Sequence, residues 1–197
     1  GAICLAVSPS LKNKGVKNRC RLYEIPKGID YIIAMPRMKL YMEYMLTMQE
    51  NYLVDYGLGD WKPPHKEVKC PAMVTDTGYF YANAKIMSVC SQIMGEVDIY
   101  KELAKKIKAA YRNRFLNNDE YLKSQTFIAC GIYHGLYSAE EIPEMAKKLA
   151  QLVIDNDYHI DCGILGTKYI FTALSKTGYA DVLYKMVTNP TAPSYAY

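Results

Sequence analysis

The sequence predicts an all-α protein, and three observations carry that prediction. From Pro36 onward, apolar residues recur at offsets of three and four, the spacing of one helical face. No run of strict apolar–polar alternation is long enough for a strand. Glycines and prolines punctuate the periodic segments and mark where each one stops. Half of the 197 residues are hydrophobic, so the chain can bury a core and is not disordered over most of its length.

Two regions are expected. Residues 1–35 form an irregular leader: Lys12, Lys14, Lys17, Arg19 and Arg21 make a basic run around Gly15, with no period of 2 or 3.6. The apolar stretch Ala2–Val7 is too short for an export signal and no basic segment precedes it, which leaves the compartment open. Residues 36–197 are expected to hold about seven helices. The first has Pro36 at its first position, a face of Tyr41, Tyr44, Met45, Met48 and Tyr52, and an end at Gly57 and Gly59. The second is capped from Thr75-Asp76-Thr77, shows a stripe of Tyr79, Ala82, Ile86, Val89, Cys90 and Ile93, and closes at Gly95. Asp98 caps the third, whose apolar face is Ile99, Leu103, Ile107, Ala110, Tyr111 and Phe115. The fourth runs from about Thr126 to His134 and stops at Gly135. Ser138-x-x-Glu141 is a capping box for the fifth, and Pro143 allows a start at Ile142; Met145, Ala146, Leu149, Leu152 and Val153 follow as its stripe. The sixth spans roughly Leu165–Lys176 before Gly178, and the seventh carries Tyr179, Val182, Leu183, Met186 and Val187 before Pro190. Short connections imply antiparallel helical hairpins. There is no fixed 34-residue period, so a tetratricopeptide array is excluded.

Composition removes several function classes. A balance of 24 basic and 20 acidic residues is too weak and dispersed for nucleic acid. No apolar run approaches the ~20 residues of a membrane span. Six cysteines at 4, 20, 70, 90, 130 and 162 include no C-x-x-C pair, so no metal site is expected; Cys90 and Cys130 read as small buried hydrophobes. No cofactor is expected: Gly57-x-Gly59 lacks the third glycine and the preceding strand of a phosphate loop. The acidic run Asp155–Asp161 lacks the glycine and glutamate of a calcium loop. There is no G-x-S-x-G, and His65 and His134 are isolated. Nineteen tyrosines against four phenylalanines suit half-wet helix faces or a polar cleft.

Two strings remain as candidate sites. Gly57-Leu58-Gly59-Asp60-Trp61 sets a carboxylate beside the single tryptophan on a glycine-bent loop. A carboxylate accepts bonds from sugar hydroxyls and an indole stacks on the apolar face of a pyranose; a helix end followed by an anchoring tryptophan fits equally. The segment Asp155–Asp161, with His159 and Asp161, is either a second polar patch or a helix end and turn.

Four strings in order resemble the catalytic domain of bacterial α-L-rhamnosidases, the six-hairpin glycosidase group: Val54–Trp61, Thr75–Tyr81, Ser124-Gln125-Thr126 and His159–Tyr169. Pro193-Ser194-Tyr195-Ala196-Tyr197 is similar to that family's P-x-Y-x-Y segment. The likeness covers roughly residues 37–197. It implies an (α/α)6 toroid, here incomplete at about seven helices, and a family reaction of inverting hydrolysis of terminal α-L-rhamnose. It implies substrate-binding roles for Asp60, Trp61, His159 and Asp161, with a rhamnose-containing glycan as partner in a bacterial cytoplasm or periplasm. The family's general acid lies in a D-E-R-x-G-W-x-G-D segment that this sequence lacks; Asp119-Glu120 is followed by Tyr121. Its general base follows the P-x-Y-x-Y segment, where this sequence stops. The expectation is therefore a barrel fragment that retains part of the sugar site without both proton-transfer carboxylates. Its uncovered helix faces imply a homo-oligomer. The alternatives are a non-catalytic helical carbohydrate-binding or assembly protein, and another (α/α)6 enzyme such as an unsaturated glucuronyl hydrolase using Asp60, Asp76 or Asp161.

Overall fold

The structure, a computed structural model, describes residues 7–17, 20–31, 38–64 and 70–196. The chain divides into two units, Gly1–Arg37 and Met38–Tyr197. Pro36 and His65 lie outside the described residues, as do Cys4, Arg19 and Tyr197. Short elements are described in the first unit. It holds a five-residue helix α1 (Pro9–Asn13), with Ser8 Oγ accepting from Leu11 N–H, and a 3-10 turn over Leu22–Glu24.

The second unit carries seven described helices: α2 (Met38–Met48), α3 (Ala72–Met94), α4 (Tyr100–Phe115), α5 (Gln125–His134), α6 (Ile142–Asp155), α7 (Ile164–Lys176) and α8 (Ala180–Val187). A two-residue hairpin, β1 (Gln49–Glu50) and β2 (Leu53–Val54), follows α2 directly. It ends α2 at Met48, before the expected glycines, with Asn51 and Tyr52 at positive φ in its turn.

Local chemistry sets most boundaries. Ser124 Oγ accepts from Phe127 N–H to open α5, and Gly135 at φ 75° closes it. Gly95 at φ 69° closes α3, and Asp98 Oδ1 accepts from Lys101 N–H at the start of α4. Ser138 and Glu141 form the reciprocal capping box, and α6 starts at Ile142 with Pro143 in its first turn. One expected boundary is corrected. Helix α3 begins at Ala72, so Thr75, Asp76 and Thr77 lie inside it rather than capping it.

The helices alternate in role. Helices α3, α5 and α7 pack side by side, with α5 in the middle, while α4, α6 and α8 each pair with the helix before them. Residues Gln125–Gly131 of α5 are buried without a break, as expected for a helix surrounded by neighbours. Two glycines permit this closeness. A Cβ on Gly78 of α3 would lie 2.8 Å from the His134 ring, and one on Gly131 would enter the Tyr137 ring. Tyr111, Phe115 and Phe127 are fully buried and pack ring on ring with Tyr121 at the edge, centroids 4.9–6.3 Å apart. Each such ring contributes about 1.5–3 kcal/mol by leaving water.

The apolar stripe expected on α3 is the wrong face. Ile86, Val89 and Ile93 are exposed, and Cys90 is only partly buried. The core side of α3 is instead Val74, Thr75, Thr77, Gly78, Phe80, Tyr81, Ala84, Ser88 and Ser91. Cys130 is buried as expected.

Candidate functional site

The loop from Val54 to Trp61 is held along its length by side chains of α3 and α5 and by backbone amides at the start of α7. Thr77 of α3 accepts a hydrogen bond from Val54 N–H at 3.0 Å and returns one from its hydroxyl to Val54 O at 3.3 Å. Asp76, one residue earlier, accepts from Tyr56 N–H at 3.1 Å and Gly57 N–H at 2.7 Å. A Cβ at Gly57 would meet Asp76 Oδ1 at 2.5 Å, so glycine is what lets the amide approach. Burial raises the Asp76 carboxyl above its ordinary value, and the two N–H donors hold part of that rise back. Gly59, at φ 63°, then turns the chain against Ala72 at the head of α3.

Asp60 is buried, and its carboxylate is fully engaged. Oδ2 accepts from Gly163 N–H at 2.7 Å and from the Thr126 hydroxyl; Oδ1 accepts from Gly166 N–H at 2.8 Å. Gly163 is the cap position of α7 and has no side chain to cap with. Asp60 supplies that cap from 103 residues away, placing a negative charge at the positive end of the helix. Ile164 N–H donates to Trp61 O at 2.9 Å and completes the joint. Alanine would be crowded at both glycines. A Gly163 Cβ would strike the Asp60 and Trp61 carbonyls, and a Gly166 Cβ would strike the Thr126 hydroxyl and Asp60 Oδ2.

The structure thus joins the Asp60-Trp61 loop to the first turn of α7, which follows the Asp155–Asp161 segment. Trp61 stands half-exposed beyond the joint, with Lys62 Nζ 5.7 Å from its ring centroid. Asp161 is partly buried, and its N–H donates to Gln125 Oε1 at 3.0 Å. Gln125 Nε2 donates to His159 O at 3.3 Å, so the first residue of α5 holds this segment from both sides. The His159 ring is occupied at both nitrogens: Nδ1 is 3.0 Å from Asn156 O and Nε2 is 2.9 Å from Thr191 Oγ1. Asp119 and Glu120 lie apart from this region, with Glu120 in an exposed ion pair with Lys123.

One opening borders the joint and another borders the Val54–Gly57 part of the loop. One, of about 350 Å³, runs from Lys62 past Cys162, Gly163 and Thr167 to Ser194 and Tyr195. The Tyr195 hydroxyl donates to Thr167 Oγ1 at 2.7 Å across it. The other, of about 370 Å³, lies between α2 and α3 and is lined mainly by Tyr41, Tyr44, Met45, Tyr56 and Tyr79, with Asp76 at its edge. Four residues of the first-helix face, Tyr41, Tyr44, Met45 and Met48, belong to this lining, and Tyr41, Tyr44 and Met48 are exposed. His134 sits among the Tyr79, Tyr133 and Tyr169 rings; burial, aided by the Lys168 charge, pushes its pKa down to about 4. Among the described residues, no three His, Cys, Asp or Glu side chains are grouped to hold a metal ion, and no helix is long and apolar enough to cross a membrane.

The importance of Asp76, Thr126, Gly163 and Gly166 is not evident from spacing, because their partners are distant in sequence. For the last two, the local signal is a pair of glycines opening α7, where a capping side chain would be expected.

Comparison with known proteins agrees with this architecture. Residues 33–197 match the model of the bacterial alpha-L-rhamnosidase 6 hairpin glycosidase domain. An alpha-L-rhamnosidase of Formosa agariphila is 30% identical over 179 residues, covering 82% of this chain and 19% of that protein. One from Streptomyces avermitilis is 27% identical over 171 residues, covering 83% and 16%. Among solved structures, the alpha-L-rhamnosidase from Dictyoglumus thermophilum superposes with a TM-score of 0.72 at 33% identity, over 81% of this chain and 20% of that one. The Streptomyces avermitilis enzyme, solved in complex with L-rhamnose, gives a TM-score of 0.73 at 24% identity, over 81% and 16%. The chain therefore spans less than a quarter of the length of these relatives. With the match running through most of the described helices and through both candidate strings, the chain belongs to the bacterial α-L-rhamnosidase six-hairpin glycosidase domain family.

Proposed function

We propose that this chain forms part of the sugar-site wall of an α-L-rhamnosidase-type barrel and does not hydrolyse glycosides by itself. The observation that carries the proposal is the half-exposed Trp61 on a loop held by backbone bonds at Val54, Tyr56, Gly57 and Trp61 and by the side chain of Asp60. A held indole is a platform for the apolar face of a deoxyhexose, and little freedom is lost when sugar binds. The adjoining groove offers the Thr167, Ser194 and Tyr195 hydroxyls and the Lys62 ammonium to sugar oxygens. Asp161 and His159 stand in the segment behind it.

Hydrolysis with inversion needs one carboxylic acid on the leaving oxygen and one carboxylate on water. Each contributes roughly 10²–10⁴-fold. Neither is assigned here: the D-E-R-x-G-W-x-G-D string is absent, and the carboxylates of buried Asp60 and partly buried Asp76 are bonded to backbone amides.

Calorimetric titration of the 197-residue chain with L-rhamnose tests the binding half. Saturable binding that falls about tenfold or more in Trp61→Ala is expected, the scale for removing an aromatic anchor. An aryl α-L-rhamnoside tests the other half, with hydrolysis at the buffer rate expected. Turnover well above buffer would overturn the proposal. Cleavage of an unsaturated uronide, lost in Asp60→Asn, would replace it with the glucuronyl hydrolase reading.

A further inference from the structure

We infer that Asp60 and Thr126 are positioning residues, which set the orientation of Trp61 for sugar recognition without touching the sugar. The inference deepens the proposed function and rests on it for the binding measurement alone. Asp60 stands next to the indole, and a carboxylate beside an aromatic ring invites a role as sugar ligand. Its surroundings point elsewhere. The side chain is turned inward, and the residue is 8% exposed. Three donors from two helices occupy its oxygens: the Gly163 and Gly166 amides of α7 and the Thr126 hydroxyl of α5. A sugar hydroxyl donating to Asp60 would have to share oxygens that already accept from protein groups.

The joint transmits position directly. Asp60 is fixed to the first turn of α7 by two charge-assisted bonds, and the next carbonyl, that of Trp61, accepts from Ile164 N–H at 2.9 Å. The Trp61 backbone is therefore held on both sides of its Cα: through Asp60 before it and through its own carbonyl after it. Thr126 extends the hold to α5, whose preceding residue, Gln125, positions the 159–162 segment. Thr126 is 1% exposed, so it has no surface with which to meet a ligand. Any effect of Thr126 on sugar affinity must pass through Asp60 and the loop.

The single tryptophan makes this measurable, since all indole emission comes from Trp61. Three variants are compared with the parent chain: Asp60→Asn, Thr126→Val and Thr126→Ser. Far-UV circular dichroism confirms that each is folded. Thr126→Val keeps the volume and loses the donor; Thr126→Ser keeps the donor. Asp60→Asn and Thr126→Val should shift the Trp61 emission, raise its acrylamide quenching and weaken L-rhamnose binding by about tenfold, the loss expected for one charge-assisted bond. Thr126→Ser should restore both readouts. A folded Asp60→Asn that loses sugar binding with Trp61 emission and quenching unchanged would overturn the inference and make Asp60 a direct ligand. Thr126→Val with both readouts at the parent values would overturn it as well. If the parent chain binds no L-rhamnose, the proposed function fails, while the emission and quenching changes still decide whether the joint orients Trp61.

Discussion

At position 166 an alanine methyl would need the space between Thr126 Oγ1 and Asp60 Oδ2 and would approach the latter to 2.7 Å. Neither neighbour is the free end of a flexible chain; both are buried and bonded to each other. Gly166→Ala should therefore lower unfolding stability by about 1–3 kcal/mol in urea titration, the range for an overpacked core. Two other residues set the acid response. Arg112 grips Glu141 with both terminal nitrogens, at 2.7 and 2.8 Å, and holds its carboxyl down at about 2. The folded state thus binds that proton more weakly than the unfolded chain, so the ion pair stabilises above the ordinary value of 4.5 and is lost as pH falls toward 2. His134 behaves in the same direction in a higher window. It is held neutral at about 4 against an ordinary 6.5, so stability declines as pH falls from 6.5 to 4. Denaturation midpoints across pH should show two sloping segments. His134→Gln should flatten the upper one and Glu141→Gln the lower.

At the scale of elements, the second half of the chain is the most legible. Helices α5 and α6 start where local cap chemistry says they should, and α5 stops there too, because Ser124, Ser138, Glu141 and Gly135 act on amides and carbonyls within a few residues of themselves, whereas the cap of α7 comes from the distant Asp60. Helix α3 is legible in extent near Gly95 but not at its start or in its orientation. Thr75, Asp76 and Thr77 have the composition of a cap, yet Asp76 and Thr77 spend their bonding capacity on the Val54–Gly57 loop. The face turned inward mixes Thr75, Thr77, Gly78, Ser88 and Ser91 with its apolar residues, and α5 approaches it at Gly78, where a larger side chain would collide with Cys130 and His134. Periodicity registers apolar residues and so selects the opposite face. Gly78→Ala should test the closeness of these helices. Its Cβ would lie 3.0 Å from Cys130 Sγ and 2.8 Å from the His134 ring, and a drop in melting temperature with no change in Trp61 emission is expected. Asp60 illustrates the limit of sequence reasoning at the site: its neighbour Trp61 is conspicuous, but the donors it serves are 66, 103 and 106 positions downstream.

For the whole molecule, the exposed face at the end of α3 is the prominent feature. Ile93 is 80% exposed, and Val97 and Ile99 beyond it are 85% and 64% exposed. Contiguous apolar surface of this kind drives association. Sedimentation velocity should show concentration-dependent self-association, reduced in Ile93→Glu; one monomeric species at all concentrations would refute this. The long reach of Asp60 also bears on how the chain is made. During translation the carboxylate leaves the ribosome about 100 residues ahead of Gly163 and Gly166, a delay of roughly 5–20 s at ordinary elongation rates. Throughout that interval the strand between the hairpin and α3 has no anchor at its tryptophan end. A nascent polypeptide arrested before the α7 glycines should be cut by protease near Leu58, whereas the released product should resist, because a helix made later fastens this earlier loop.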